Sequence, residues 1–213
     1  MAVRKRLSPL SGAIICSLGL MVFSFFIHYK FPARLISVLA LLMSAVIIAR
    51  DLKSLTDLKK ILGKHISFKT TLLYFLLGIT AGILLAVLYR WHLSTSLMPS
   101  SIHSFVIVAA LIGGTEELVF RGYLQESVRN INGPFSILFS TSAHTGYKCC
   151  LFLSPAMPAD INVGFLALWT FGAGLLFGTV RYLSKSLLPS LTSHVLFDIL
   201  VYAEFTTAPW WVW

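Results

Sequence analysis

Long apolar runs alternate with short polar or basic ones along the chain, and the runs have the length a lipid bilayer demands. A helix crossing the hydrocarbon core needs about 20 mainly apolar residues. Leu10 to Ile27 carries no charge and predicts a first span. Leu35 to Ala49 predicts a shorter second span, Thr70 to Tyr89 a third and Ser101 to Gln125 a fourth. Pro134 to Leu153, Ile161 to Val180 and Leu187 to Ala203 predict a fifth, sixth and seventh. In the fifth, the stretch "HTGYKCCLFLSPAMP" is read either as continuous helix or as a break hiding a short extra helix, which would make eight. Leu52, Leu55, Leu58, Ile61 and Leu62 recur at helical spacing in the basic loop 51–69, the pattern of a helix lying on the membrane surface. The tail "APWWVW" reads as an interfacial aromatic anchor. The expected fold is all-α: a polytopic transmembrane helix bundle forming one integral membrane domain over residues 1–213.

Composition agrees, since 57% of the 213 residues are hydrophobic and only 12% charged, too apolar for a soluble domain of this size. The net charge of +9 falls into alternate loops. With the N-terminus in the cytoplasm, the inner side receives Arg4, Lys5, Arg6, Arg50, Lys53, Lys59, Lys60, Lys64, Lys69, Arg121, Arg129, Arg181 and Lys185. The outer side receives Lys30, Arg34, Arg90 and Lys148. This bias predicts N-terminus in and C-terminus out, and accounts for the positive charge without a nucleic-acid partner. The basic start resembles that of a signal peptide, but no small-residue cleavage site follows, so the first helix is read as retained. Cys16, Cys149 and Cys150 offer no disulfide framework and read as small apolar residues.

The stretch "GGTEELVFRG", Gly113 to Gly122, breaks the apolar pattern inside the fourth span. A charge at the centre of a membrane helix costs about 2.5–3.5 kcal/mol, so buried charges of this kind usually face the bundle interior and mark a function. Glu117 and Arg121 are four residues apart and share a helix face. Glu116, rotated by about 100°, has no cation on its own helix and is read as the carboxylate free for chemistry. At ~1.5 Å per residue, His144 in the fifth span and His194 and Asp198 in the seventh reach a similar depth in the cytoplasmic half of the bilayer. If these helices pack together, they form a polar pocket open to the cytoplasm.

A carboxylate and a neutral imidazole flanking one water make a hydrolytic pair, with Glu116 as the base and His144 holding the water. His194 and Asp198 then face the oxyanion, with Asp198 either protonated or orienting His194. Two histidines plus a glutamate also match a catalytic zinc set, although no HExxH is present. Ser140, Ser142 and Ser193 lie near the histidines without any nucleophile elbow around them. Asp198 is the only aspartate in a span, which excludes a two-aspartate intramembrane protease. Glu126, Arg129 and Arg181 read as interfacial charges, Glu204 as an outer solvated one, and His28, His65, His92 and His103 as loop residues.

"EELVFR" fits an EExxxR motif, "HVLFD" fits HxxxD/N, and a histidine stands on the helix between. Together these resemble the CPBP group, the CAAX prenyl proteases and bacteriocin-processing enzymes also called Abi proteins. The resemblance covers residues 101–204, the expected catalytic core. It implies an intramembrane endopeptidase cleaving a membrane-proximal peptide or protein by activated water. In it Glu116 is the base, Glu117 pairs with Arg121, His144 shares the water, and His194 with Asp198 forms the oxyanion side. No cofactor is expected to be required; if zinc is used, its ligands are Glu116, His144 and His194. The family's FxxxH motif is altered, because position 140 is Ser and Phe139 stands five residues before His144. The small size and compact loops point to a bacterial inner membrane. Partners are then the lipid bilayer and a peptide substrate, met in leader maturation or bacteriocin self-immunity. Two other readings use the same residues: a non-enzymatic immunity or scaffold protein, and a proton-coupled transporter.

Overall fold

The protein was analysed as a computed structural model, which describes residues 8–63, 67–156 and 161–207. Arg4, Lys5, Arg6, Lys64, His65 and the tail tryptophans Trp210, Trp211 and Trp213 lie outside the described residues. Helices dominate: α1 (Pro9–Phe26), α2 (Arg34–Asp51), α3 (Leu55–Leu62), α4 (Phe68–His92), α5 (Phe105–Glu117), α6 (Gln125–Val128), α7 (Gly133–Leu153), α8 (Val163–Ser184) and α9 (Leu187–Tyr202). A π-helical stretch, Leu118–Leu124, joins α5 to α6 without interruption. Among the described residues there is no sheet, only an isolated bridge between Gly63 and Ser186.

Short polar residues set the helix starts. Ser8, Ser54, Ser67, Asn132, Asn162 and Ser186 each accept a backbone N–H of the first turn of the helix that follows, the usual way to satisfy donors that have no partner inside a helix. Pro9 and Pro134 occupy first-turn positions, where the missing N–H costs nothing. The seven expected spans and the surface helix thus correspond to observed helices, with α3 in the amphipathic loop. α7 runs unbroken through Leu153, so the break considered after His144 does not occur.

By length and apolarity alone, three helices suffice to cross a membrane, α1, α4 and α8, or four if α2 and α3, bent by 109°, count as one span. α9 is apolar but has 16 residues, and the α5–α6 run carries Glu116, Glu117, Arg121 and Glu126. Three or four helices therefore qualify on those criteria rather than seven. The apolar helices point to an integral membrane protein.

Four helix contacts place the site. α9 packs on α4 and α5, and α7 packs on α8 and α1. At the α4–α9 contact, Gly78 and Gly82 stand against the backbone of Pro189 and Ser193, where any side chain would collide, and Ser193 Oγ donates to Gly78 O at 2.7 Å. This close approach is the membrane use of small residues.

Several charges sit elsewhere than expected. Arg181 is buried rather than interfacial, and donates to the backbone oxygens of Lys60 and Ile61 at 3.3 and 3.0 Å, pinning α3 across the end of the bundle. Glu126 lies between it, at 3.4 Å, and Arg129, at 3.1 Å. Glu204 is engaged rather than freely solvated: it pairs with buried Arg90 at 2.8 Å and accepts from Ser100 N and Oγ. His28 lies in the turn after α1, as expected, and is buried there. Among the described residues, the end of the bundle that bears α3 exposes Arg50, Lys53, Lys59, Lys60, Lys69 and Lys185, while the opposite end exposes Lys30 and Arg34.

Candidate active site

The fold brings the six sequence-predicted residues together. Glu116 and Glu117 end α5, Arg121 lies in the π-helical stretch, His144 is midway along α7, and His194 and Asp198 lie one turn apart on α9. All six are buried. π-helical segments widen the backbone turn and recur at functional sites. Here the Phe120 carbonyl, which accepts the Gln125 N–H of the wide turn, also accepts from Ser140 Oγ at 2.8 Å, and the Phe120 ring lies 4.5 Å from the His144 ring. The aromatic partner of His144 therefore comes from α5's extension. Phe139 instead pairs with Phe135 at 6.0 Å.

Hydrogen bonds fix which nitrogen carries which proton. Arg121 Nη1 has only protons to give, and it donates both to Glu117 Oε1 and to His144 Nδ1, each at 3.0 Å. A neutral His144 therefore keeps its proton on Nε2 and donates it to Glu116 Oε2 at 3.0 Å. His194 donates through Nδ1 to Glu117 Oε1 at 3.0 Å. Its Nε2 then faces Glu116 Oε2 at 3.8 Å and Asp198 Oδ2 at 3.7 Å, too far for direct hydrogen bonds. Glu117 and Arg121 act as a keystone, holding one histidine from each of two other helices.

Glu116 is not free of cations, contrary to the reading from its own helix. Lys148 Nζ, one turn beyond His144 on α7, pairs with its second oxygen, Oε1. Sequence reasoning counted Lys148 among the outer charges and so missed it. The signal was present, because residues 144 and 148 are four apart and must share a helix face. With Arg121 against Glu117 and Lys148 against Glu116, each glutamate has its own cation, which is how buried carboxylates are tolerated.

Two glycines make room. A Cβ at Gly113 would strike the Asp198 carboxyl and lie 3.2 Å from His194 Cδ2. One at Gly174 would lie 3.0 Å from Arg121 Nη2. The serines near the site are occupied or turned away: Ser140 and Ser193 donate to backbone oxygens, and Ser142 is exposed.

A cavity of about 240 Å³ borders Arg121, His144, Lys148, His194 and Asp198. Its apolar walls are Tyr89 near the end of α4, Leu166 and Trp169 near the start of α8, and Phe197 and Tyr202 towards the end of α9. These all belong to the end of the bundle opposite α3. Towards the α3 end, Phe120, Leu124, Phe177 and Leu187 are each no more than 2% exposed.

The arrangement fits zinc poorly. A ligating His144 would have to present the Nε2 lone pair, which requires a proton on Nδ1, where Arg121 already points a donor. The ammonium of Lys148 lies on the remaining oxygen of Glu116. Among the described residues, no group of three His, Cys, Asp or Glu is placed to hold a metal ion.

A helical membrane bundle that buries two glutamates, an arginine and two histidines around a cavity defines a class, the polytopic proteins with an intramembrane polar site. The family model described as "Type II CAAX prenyl endopeptidase Rce1-like" matches residues 98–200, a stretch holding all six site residues and Lys148. Over that stretch the chain is similar to the Rce1-like CAAX-type intramembrane proteases, the family its motifs resemble. The family acts as a hydrolase on protein substrates at the membrane. Comparison with curated proteins and with solved structures found no match.

Proposed function

We propose that this chain is an intramembrane endopeptidase in which Glu116 activates water without a metal. The observation that carries the reading is the gap bounded by Glu116 Oε2, His194 Nε2 and Asp198 Oδ2. Separations of 3.8 and 3.7 Å are too long for direct hydrogen bonds and leave these polar atoms turned towards a shared partner such as water, and the gap lies beside the cavity. A water there gives one proton to Glu116 while its oxygen adds to the peptide carbonyl. The His144 Nε2–H steadies the carboxylate that takes the proton. The oxyanion of the tetrahedral intermediate is met by the Lys148 ammonium and by a protonated Asp198, both on the cavity wall. The C–N bond then breaks, and the proton held by Glu116 passes to the departing amine. Glu117 and Arg121 position His144 and His194.

The test is Glu116→Gln in the expressing cell, with comparative peptidomics of the membrane fraction. Removing a general base costs roughly 10²–10⁴-fold in rate. A membrane-anchored peptide should lose its processing while the variant remains folded. Unchanged processing would refute the mechanism. A phenotype kept by the variant would favour a scaffold, and lost pH-coupled flux a transporter.

A further inference from the structure

We infer that Thr141 is a further positioning residue of the site, acting through one buried water. The water sits in the notch that Gly174 leaves on α8 and joins the Thr141 hydroxyl to Arg121 Nη2. The inference deepens the protease reading above by naming what fixes the arginine that fixes His144.

Arg121 is fully buried, and a guanidinium has only donors to offer. Nη1 directs its protons to Glu117 Oε1 and His144 Nδ1. Nε and Nη2 have no hydrogen-bond partner among the described residues. The Phe177 ring, 5.8 Å from Cζ, offers the guanidinium only its aromatic surface. Thr141 lies on α7, almost one turn before His144, and is fully buried as well. Its Oγ1 also has no partner among the described residues. Thr80, Thr115 and Thr192 turn their hydroxyls back to the carbonyl four residues earlier, at 3.0, 2.8 and 2.8 Å. Thr141 forgoes that bond.

The two unpaired groups meet at one point. A Cβ on Gly174 would stand 3.0 Å from Arg121 Nη2 and 3.3 Å from Thr141 Oγ1. Gly174 and Arg121 also border the cavity, so the notch adjoins it. A buried donor on one side, a hydroxyl on the other and no side chain between them is a setting that holds water. The water accepts from Nη2 and donates to Thr141 Oγ1. Because the guanidinium is planar and rigid, holding Nη2 sets the direction of Nη1. Nη1 in turn keeps the His144 proton on Nε2, facing Glu116. Thr141 thus reaches the base through the water, Arg121 and His144.

The experiment uses the full chain in detergent micelles, with nitrogen NMR of isotope-labelled histidine, and a crystal structure that resolves ordered water. The crystal should show a water within hydrogen-bond distance of both Arg121 Nη2 and Thr141 Oγ1. An empty notch, or a direct bond from Arg121 to Thr141, overturns the inference. In the spectra, wild type and Thr141→Ser should show His144 with its proton on Nε2. Thr141→Val keeps the shape without the hydroxyl, and Gly174→Ala fills the notch; each should shift that signal. The double variant should shift it no further than the larger single shift, because both changes remove the same water. Gly172→Ala, whose Cβ meets nothing within 4 Å, should leave it unchanged. Wild-type His144 signals in T141V, or shifts that add in the double variant, overturn the inference. Processing of the peptide that Glu116→Gln blocks should fall about tenfold or more in T141V and recover in T141S. The spectra and the crystal need no turnover, so their failure is distinct from failure of the protease reading, which stands or falls on Glu116→Gln.

Discussion

Gly113→Ala tests whether the placement of His194 and Asp198 matters to the chemistry, because it moves them with little other disturbance. The added methyl would collide with the Asp198 carboxyl and stand 3.2 Å from both Asp198 Cγ and His194 Cδ2. Overpacking of this kind costs about 1–3 kcal/mol. Replacing a mid-helix glycine by alanine returns about 1 kcal/mol in helix propensity. The net loss of stability is then roughly 0–2 kcal/mol, and most of the protein stays folded. The chemistry should suffer more. Relief of the clash shifts α9's side chains by on the order of 1 Å, and a misplacement of that size costs about 10²-fold in rate, equivalent to about 2.7 kcal/mol of barrier. Gly172→Ala, where a Cβ meets nothing within 4 Å, should gain about 0.5–1 kcal/mol and keep full activity. The assay is peptide processing per folded molecule, paired with thermal unfolding in detergent. Wild-type processing by G113A would refute the argument, as would a loss of activity no larger than the loss of folded protein.

Two further outcomes follow from ion pairs that sequence reasoning did not find. Lys148→Met leaves the buried Glu116 carboxylate without its cation, an arrangement that costs about 3–5 kcal/mol; processing and melting temperature should both fall, and Lys148→Arg should restore part of both. At the far end, the hydrogen bonds from the Arg90 guanidinium, and then those from Ser100, hold the Glu204 carboxyl down at about 2 from an ordinary 4.5. A group with a lowered native value contributes stability that is whole above the ordinary value and is lost as pH falls towards the native one. Protection of the 93–104 loop from acid-stable protease should persist at pH 5 and decline between pH 4.5 and about 2, and Glu204→Gln should abolish that decline.

The elements were legible because membrane helices announce themselves by length: Leu10 to Ile27 and Thr70 to Tyr89 fall within a few residues of α1 and α4. The six polar residues were legible for the same reason, since in an apolar chain a buried charge stands out. Two features were harder, and they differ in kind. Lys148 was a failure of boundary. It fell inside the expected fifth span yet was counted among the outer charges, although helical spacing from His144 puts it on the site's face. The π-helical turn was a failure of information. Nothing in "LVFRGYL" distinguishes a wide turn from an ordinary one, since both keep the same hydrophobic pattern.

The two misses are linked through His144. With Ser140 where the motif has an aromatic, the ring nearest the imidazole is that of Phe120, from the wide turn, and Ser140 Oγ donates to the carbonyl of that same residue. Position 140 and the backbone of 118–124 thus compensate each other. His144 is held from one side by that ring and from another by Arg121, with its remaining nitrogen on Glu116. An aromatic restored at 140 would have to displace the Ser140–Phe120 bond in a position with no exposed surface. The departure from the motif is therefore an alternative solution to the same requirement, a fixed imidazole with its Nε2–H on the base.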